Sequence, residues 1–279
     1  MYINKDKSII TLSSWLPWKT TTLLAGVHGN EVSWVQALHS FLEQWIPIVS
    51  GKVFLIFANI EGLSMGKRYY EKDMNRCFIT NTWGSTYEEQ RVREILPYLE
   101  QSDYVLDIHN TLSPSSFKPF LISEHYEIDN YFDVEYVVSG FDALHPGGSD
   151  GYMNSMGKIG LCLEVGSIYD NADALVQKAK GGILNFLKYT GNIAGIPIQY
   201  PNKKRILFDT IYRNRFPSFR LVSPLGDFES VKAWQLLGYD GTIPVYADRE
   251  GTILFARNRE SVGEECFCLG NQLNLAIAR

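Results

Sequence analysis

The chain has 279 residues, 45% hydrophobic and 20% charged, a balance that excludes a disordered or collagen-like polypeptide and allows a sizeable core. Its length fits one large domain with a smaller appendage. A formal net charge of −5 excludes the basic footprint needed to bind a phosphate backbone, so nucleic acid is not an expected partner, and an anionic small substrate would require a local cluster of Arg or Lys.

The first residues, Met-Tyr-Ile-Asn-Lys-Asp-Lys, contain no apolar run of signal-peptide length, and no later stretch approaches a membrane span; the expectation is a cytoplasmic protein without membrane contact. Residues 20–27 form a β-rich apolar run ending in Ala-Gly-Val-His. Residues 30–46 then carry Val32, Val35, Leu38, Leu42 and Trp45 at helical spacing, which predicts strand, tight turn, helix. The near-continuous hydrophobicity of 52–58 predicts a strand covered on both faces, and so a βαβ unit. An amphipathic helix over 86–101 precedes a buried strand over 103–109, and a strand at 158–165 precedes a helix at about 170–189 with Gly191 as its stop signal. Beyond about residue 196 short β-like runs are broken by Gly, Pro, Asn and Asp, which predicts a small β-rich domain over 196–279 after an α/β domain over 1–195. Within it, 243–257 reads as two strands joined by a Gly-containing hairpin turn. The four cysteines, Cys77, Cys162, Cys266 and Cys268, do not suggest a disulfide framework, and the Cys266 and Cys268 pair reads as two buried structural thiols.

Chemistry concentrates at four places. His28-Gly29-Asn30-Glu31 sets an imidazole and a carboxylate where a strand hands over to a helix, so that both can converge on one ion. Alone this is weak, because with five histidines such a pair arises by chance about one time in four. Asp107-Ile108-His109-Asn110 lies at the carboxyl end of a buried strand, where open α/β sheets place their ligands; alternation puts Asp107 on the face of His109, able to orient it. Glu164 stands inside an apolar strand, where an unpaired charge is costly, and a nearby metal-bound water would give it a partner for general-base work. The segment 68–76 carries Arg68, Asn75 and Arg76, suited to carboxylate recognition and oxyanion stabilisation.

Taken in order, His28-Gly-Asn-Glu31, Asn59 followed by Arg68 and Asp73-Met-Asn75-Arg76, Asp107-Ile-His109-Asn110, and Glu164-Val-Gly resemble the succinylglutamate desuccinylase and aspartoacylase family of the zinc carboxypeptidase superfamily, over residues from about 20 to 190. The resemblance implies a three-layer α/β/α carboxypeptidase-like domain with a mixed sheet, a small β-rich C-terminal domain partly capping the cleft, and hydrolysis of a small anionic N-acyl amino acid. It implies one Zn2+ per chain held by His28, Glu31 and His109, with Glu164 as acid/base and Arg68 polarising the scissile carbonyl. Asn75 and Arg76 match the pair that holds the substrate carboxylate, and Asn110 and Asn154 join them as substrate-binding positions.

Two departures bear on the substrate. Asn154 stands where aspartoacylase has an Arg for the aspartate side chain, and the stretch 250–255 lacks the tyrosine which that enzyme contributes from its C-terminal domain. Loss of the cation predicts a preference for neutral or aromatic N-acyl amino acids unless another basic residue, such as Lys158, reaches the pocket. His39, His125 and His145 match no role and read as surface or core histidines. A carboxypeptidase using the same groups, and a noncatalytic zinc-binding module of the same fold, are the alternative readings; the oligomeric state, homo-oligomers included, stays open.

Overall fold

The computed structural model describes residues 8–79, 84–112 and 118–273, so the first seven residues, with their lack of an apolar run, lie outside the described residues. The first half runs β1 (Ile9–Ser13), β2 (Thr20–Ala25), α1 (Val32–Glu43), β3 (Lys52–Phe57), α2 (Ile60–Met65), α3 (Tyr87–Gln101) and β4 (Tyr104–Thr111). It continues with β5 (Phe120–Ile122), β6 (Tyr136–Ser139), α4 (Phe141–Leu144), α5 (Ser149–Ser155), β7 (Ile159–Ser167) and α6 (Ala172–Tyr189). Among the described residues after α6 the elements are strands: β8 (Lys204–Arg213), β9 (Phe219–Leu221), β10 (Ser230–Val231), β11 (Leu236–Asp240), β12 (Ile243–Tyr246), β13 (Gly251–Leu254) and β14 (Glu265–Gln272).

The helix starts have local causes. Thr86 and Glu89 close a capping box at α3, and the Asn171 side chain accepts from Ala174 N–H at α6, satisfying donors that lack a partner inside the helix. Alternation along the strands then builds the layers. Leu23, Leu55, Leu106 and Leu161 pack against Trp34 and Leu38 of α1 and Ile183 and Phe186 of α6, whereas Leu24, Ile56 and Val105 pack against Val92 and Ile95 of α3 and Met153 of α5. Helices therefore cover both faces of the sheet, as the apolar runs at 20–27 and 52–58 require.

The main sheet is mixed, in the order β1-β3-β2-β4-β7-β5-β6-β8-β14-β13-β10, and a second antiparallel sheet has the order β12-β11-β9. Because β8 pairs in parallel with β6, backbone hydrogen bonding runs without a break from the α/β half into the β-rich half. The expected hairpin over 243–257 is corrected: β12 pairs with β11 in the small sheet, and β13 pairs with β14 and β10 in the large one. Residues 247–250 carry the chain from one sheet to the other, and Val245 and Ile253 fill the core shared between them. All four cysteines are buried thiols, Cys266 in that same core.

The turn after β2 depends on Gly29. Its N–H donates to Arg68 O at 3.1 Å, and a Cβ added there would collide with the Gly62 backbone at the start of α2. Gly29→Ala forces the two backbone segments away from each other, an overpacking that costs about 1 to 3 kcal/mol. The expected result is a melting temperature about 2 °C or more below wild type; an unchanged value would show that the approach is not tight.

Candidate active site

Four parallel strands, β3, β2, β4 and β7, bring the candidate residues to one edge. His28 follows β2, Glu31 is the N-cap residue of α1, and His109 on β4 is the register neighbour of Glu164 on β7. His28, Glu31 and His109 are all buried. His28 Nδ1 lies 2.8 Å from Glu31 Oε1, and His109 Nδ1 lies 3.1 Å from both His28 Nδ1 and Glu31 Oε2.

On the far side of each ring stands a carboxylate: His28 Nε2 is 3.2 Å from Asp73 Oδ1, and His109 Nε2 is 3.1 Å from Asp107 Oδ1. Ser149 Oγ donates to Asp107 Oδ2 at 2.5 Å and holds that carboxylate in place. A proton on each Nε2, facing its carboxylate, leaves two imidazole lone pairs and the Glu31 carboxylate aimed at one point with no donor among them. A cation, or a proton on one of the two Nδ1 atoms, satisfies such a set.

Without an ion, protons on the rings balance the buried carboxylates instead. Burial pushes the Glu31 carboxyl up, but the charges of His28 and His109 outweigh it and hold it well below the usual carboxylate range. Burial likewise lowers His109, yet Asp107 and Glu31 raise it well above an ordinary imidazole. Two His and one Glu on a closed wall, with the fourth side open to a cavity, match the donors of a three-ligand metal site.

Glu164 sits beside this point with its Oε2 sealed from solvent and unpaired among the described residues. Burial pushes its carboxyl up to about 8, with His109 and Arg68 opposing and Glu31 adding to the shift. Arg68 Nε and Nη2 donate to Asp73 Oδ2 at 3.2 and 3.1 Å, and the guanidinium reaches within 3.9 Å of Glu31. Asp73 thus ties together His28, Arg68 and, through Oδ1, the Asn75 N–H at 3.0 Å. The loop carrying these residues is pinned by Glu88, a fully buried carboxylate that accepts from the N–H groups of Tyr70, Glu71 and Lys72 and from Asn59 Nδ2. Neither Asp73 nor Glu88 stood among the candidate site residues.

His28, Glu31, Arg68, Asn75, Arg76, His109, Asn110 and Glu164 all line one cavity of about 380 Å³. Asn110 has a second duty, since its Oδ1 accepts from Ser33 Oγ and its backbone N–H donates to Glu31 Oε2. Asn154 is not brought to the cavity. Its amide is held by His125, Asp142 and the Gly160 N–H, and it is not among the cavity-lining residues, so the inference of a neutral substrate side chain drawn from it loses its ground. Lys158 points away as well, its Nζ donating to Glu100 O.

The cations come instead from the β-rich half. Arg213, Arg257 and Arg259 line the cavity; Arg213 is paired with Glu265 and Arg259 with Glu264, while Arg257 makes no ion pair among the described residues. Burial, then Arg259, lowers the Arg257 pKa below the usual guanidinium value, with Asp227 and Glu265 opposing without closing an ion pair. These residues lie outside the four motifs and so were not among the candidates, although two Arg alternating with other residues directly after a strand were a visible signal. His39 stacks on Phe57 as a core ring, but His145 is corrected: it lines the cavity beside Arg76.

Comparison with known proteins follows the same line. A curated protein from Nostoc sp. named "Probable aspartoacylase" is 27% identical over 264 residues, covering 80% of this chain and 88% of that one. An N-acyl-aromatic-L-amino acid amidohydrolase (carboxylate-forming) from Rattus norvegicus is 26% identical over 175 residues, 54% of each chain. The crystal structure of succinylglutamate desuccinylase from Vibrio cholerae superposes with a TM-score of 0.78 at 15% identity, covering 96% of this chain and 86% of that one, which shows a shared fold. The profile of the succinylglutamate desuccinylase/aspartoacylase catalytic domain matches residues 17–190, and the chain belongs to that family.

Proposed function

We propose that the chain is a zinc-dependent hydrolase cleaving the amide bond of an N-acyl amino acid, with the ion held by His28, Glu31 and His109. The convergence of three buried acceptors on one point carries the reading. When bound there, zinc would supply a Lewis acid and lower the pKa of water toward neutrality.

Glu164 is placed to take the proton from the attacking water and return it to the leaving nitrogen. The Arg68 guanidinium, fixed by Asp73, faces the developing oxyanion, a contribution of about 3 to 4 kcal/mol for a well-placed donor. Arg76 and the Asn75 side-chain NH₂, both at the cavity wall, hold the amino-acid carboxylate. In this reading residues 1–195 supply these groups, residues 196–279 partly cap the cleft, and the setting is cytoplasmic. No helix among the described residues is long and apolar enough to cross a membrane.

Arg257 decides the side chain. An unpaired guanidinium in the cavity wall favours a second anionic group, so an N-acyl acidic amino acid is the proposed substrate. A screen of N-acyl amino acids with the zinc-loaded protein tests this. The expected result is turnover with preference for acidic side chains, and a loss of about tenfold or more in kcat/KM for them alone in Arg257→Met. Stoichiometric zinc without turnover would overturn the hydrolase reading, and faster cleavage of a blocked dipeptide would make the protein a carboxypeptidase.

A further inference from the structure

We infer that His145 is a positioning residue, a neutral hydrogen-bond acceptor that aims the Arg76 guanidinium at the anchoring carboxylate of the substrate; the inference rests on the proposed role of Arg76. Arg76 Nη1 donates to Asn75 O at 2.9 Å and Nη2 to His145 Nδ1 at 2.9 Å, which fixes the plane of the fork while leaving its other N–H groups to the cavity. The imidazole is itself held. It stacks on Phe141 at 5.4 Å between centroids and 19° between planes.

The backbone after His145 is built around the same arginine. Gly147, at φ +101°, packs against the Arg76 backbone so closely that a Cβ would lie 2.7 Å from its carbonyl carbon, and Gly147 O accepts from Phe78 N–H at 3.1 Å. Ring and turn thus act as one rest for Arg76.

The partner's neutrality matters. Burial drives the His145 pKa down to about 4; Glu265 and, more weakly, Asp73 oppose this, while Arg76 and Arg213 add to it. The ring therefore accepts at Nδ1 and carries its proton on Nε2. Glu265 Oε1, 3.4 Å from His145 Nδ1 and 3.9 Å from Arg76 Nη2, is drawn off by Arg213 at 2.7 Å. A carboxylate bonded directly to Arg76 would compete with the substrate's own; an imidazole directs the guanidinium without neutralising it.

The test uses zinc-loaded Glu164→Gln protein, in which turnover does not obscure binding, titrated calorimetrically with N-acetyl-L-aspartate and N-acetyl-L-phenylalanine. His145→Phe keeps an aromatic ring against Phe141 and removes the acceptor, and it should weaken binding about tenfold. His145→Asn, which returns an amide oxygen to the Nδ1 position, should restore most of the loss. In an Arg76→Ala background His145→Phe should change nothing further. Unchanged binding in His145→Phe, an equal loss in His145→Asn, or an undiminished loss without Arg76 would each overturn the inference, as would no binding of either probe by the Glu164→Gln protein. Turnover by the wild-type chain is scored separately, so binding without hydrolysis sinks the proposed reaction and leaves the role of His145 tested.

Discussion

Glu164→Gln is expected to keep the bound metal and lose about a hundredfold to ten-thousandfold in kcat, the usual contribution of a positioned general base. The substitution preserves shape, and Glu164 is not among the three converging acceptors, so metal stoichiometry should stay at wild type while the rate falls. The pH profile adds a second reading. Burial raises the Glu164 carboxyl to about 8 in the metal-free site, and the base must be ionised to act, so wild-type activity rises with pH along a limb that a neighbouring cation moves below 8. The linkage has the opposite sense: a carboxyl whose folded pKa exceeds its unfolded value binds its proton more tightly in the fold. In the metal-free protein this group's contribution to stability is therefore fully present below the unfolded pKa and is lost as pH rises toward 8. Both the limb and this slope should vanish in Glu164→Gln. Near-wild-type turnover in the variant would remove Glu164 from the mechanism.

The convergence of His28, Glu31 and His109 was legible in the sequence because each of its elements is local. A strand ending in His28, a helix beginning at Glu31 and a strand ending in His109 are set by apolar periodicity, and parallel pairing of β2 with β4 brings their ends together. Asp107 was legible for the same reason, through period-two alternation with His109. The arginines on the opposite wall were not. Arg257 and Arg213 reach the cavity only because β8 and β14 extend the main sheet past β6, a pairing between segments far apart in sequence that no local pattern encodes. The placement of Asn154 failed on a related point. Counting back from Glu164 crosses the α5–β7 turn, where the Asn154 side chain folds onto the Gly160 N–H and leaves the cavity side to Asp150. His145 was invisible because its partner Arg76 lies 69 residues away.

Glu88 shows how a residue outside the cavity can govern it. In sequence it is one more acid in the first turn of an amphipathic helix, favoured there by the helix dipole. In the structure its Oε1 accepts from Tyr70 N–H at 2.6 Å and Asn59 Nδ2 at 3.1 Å, and its Oε2 from Glu71 and Lys72 N–H at 3.2 and 3.1 Å. Three consecutive backbone donors thus depend on one buried carboxylate. Glu88→Ala removes all of these acceptors at once, but Tyr70, Glu71 and Lys72 are exposed and water can reach their N–H groups, so the loss of stability should be about 1 to 3 kcal/mol in total. Glu88→Gln keeps the volume but turns an amide NH₂ toward N–H groups, so it should recover little. The same loop carries Asp73, which faces His28 Nε2, and loss of such an outer partner of a ligand histidine typically weakens metal binding about 10- to 100-fold. Chemical denaturation of the metal-free protein and competitive zinc titration separate the two effects. A Glu88→Ala protein with wild-type midpoint and wild-type zinc affinity would show that the loop holds its shape without the carboxylate, and that the order of Asp73 and Arg68 has another source.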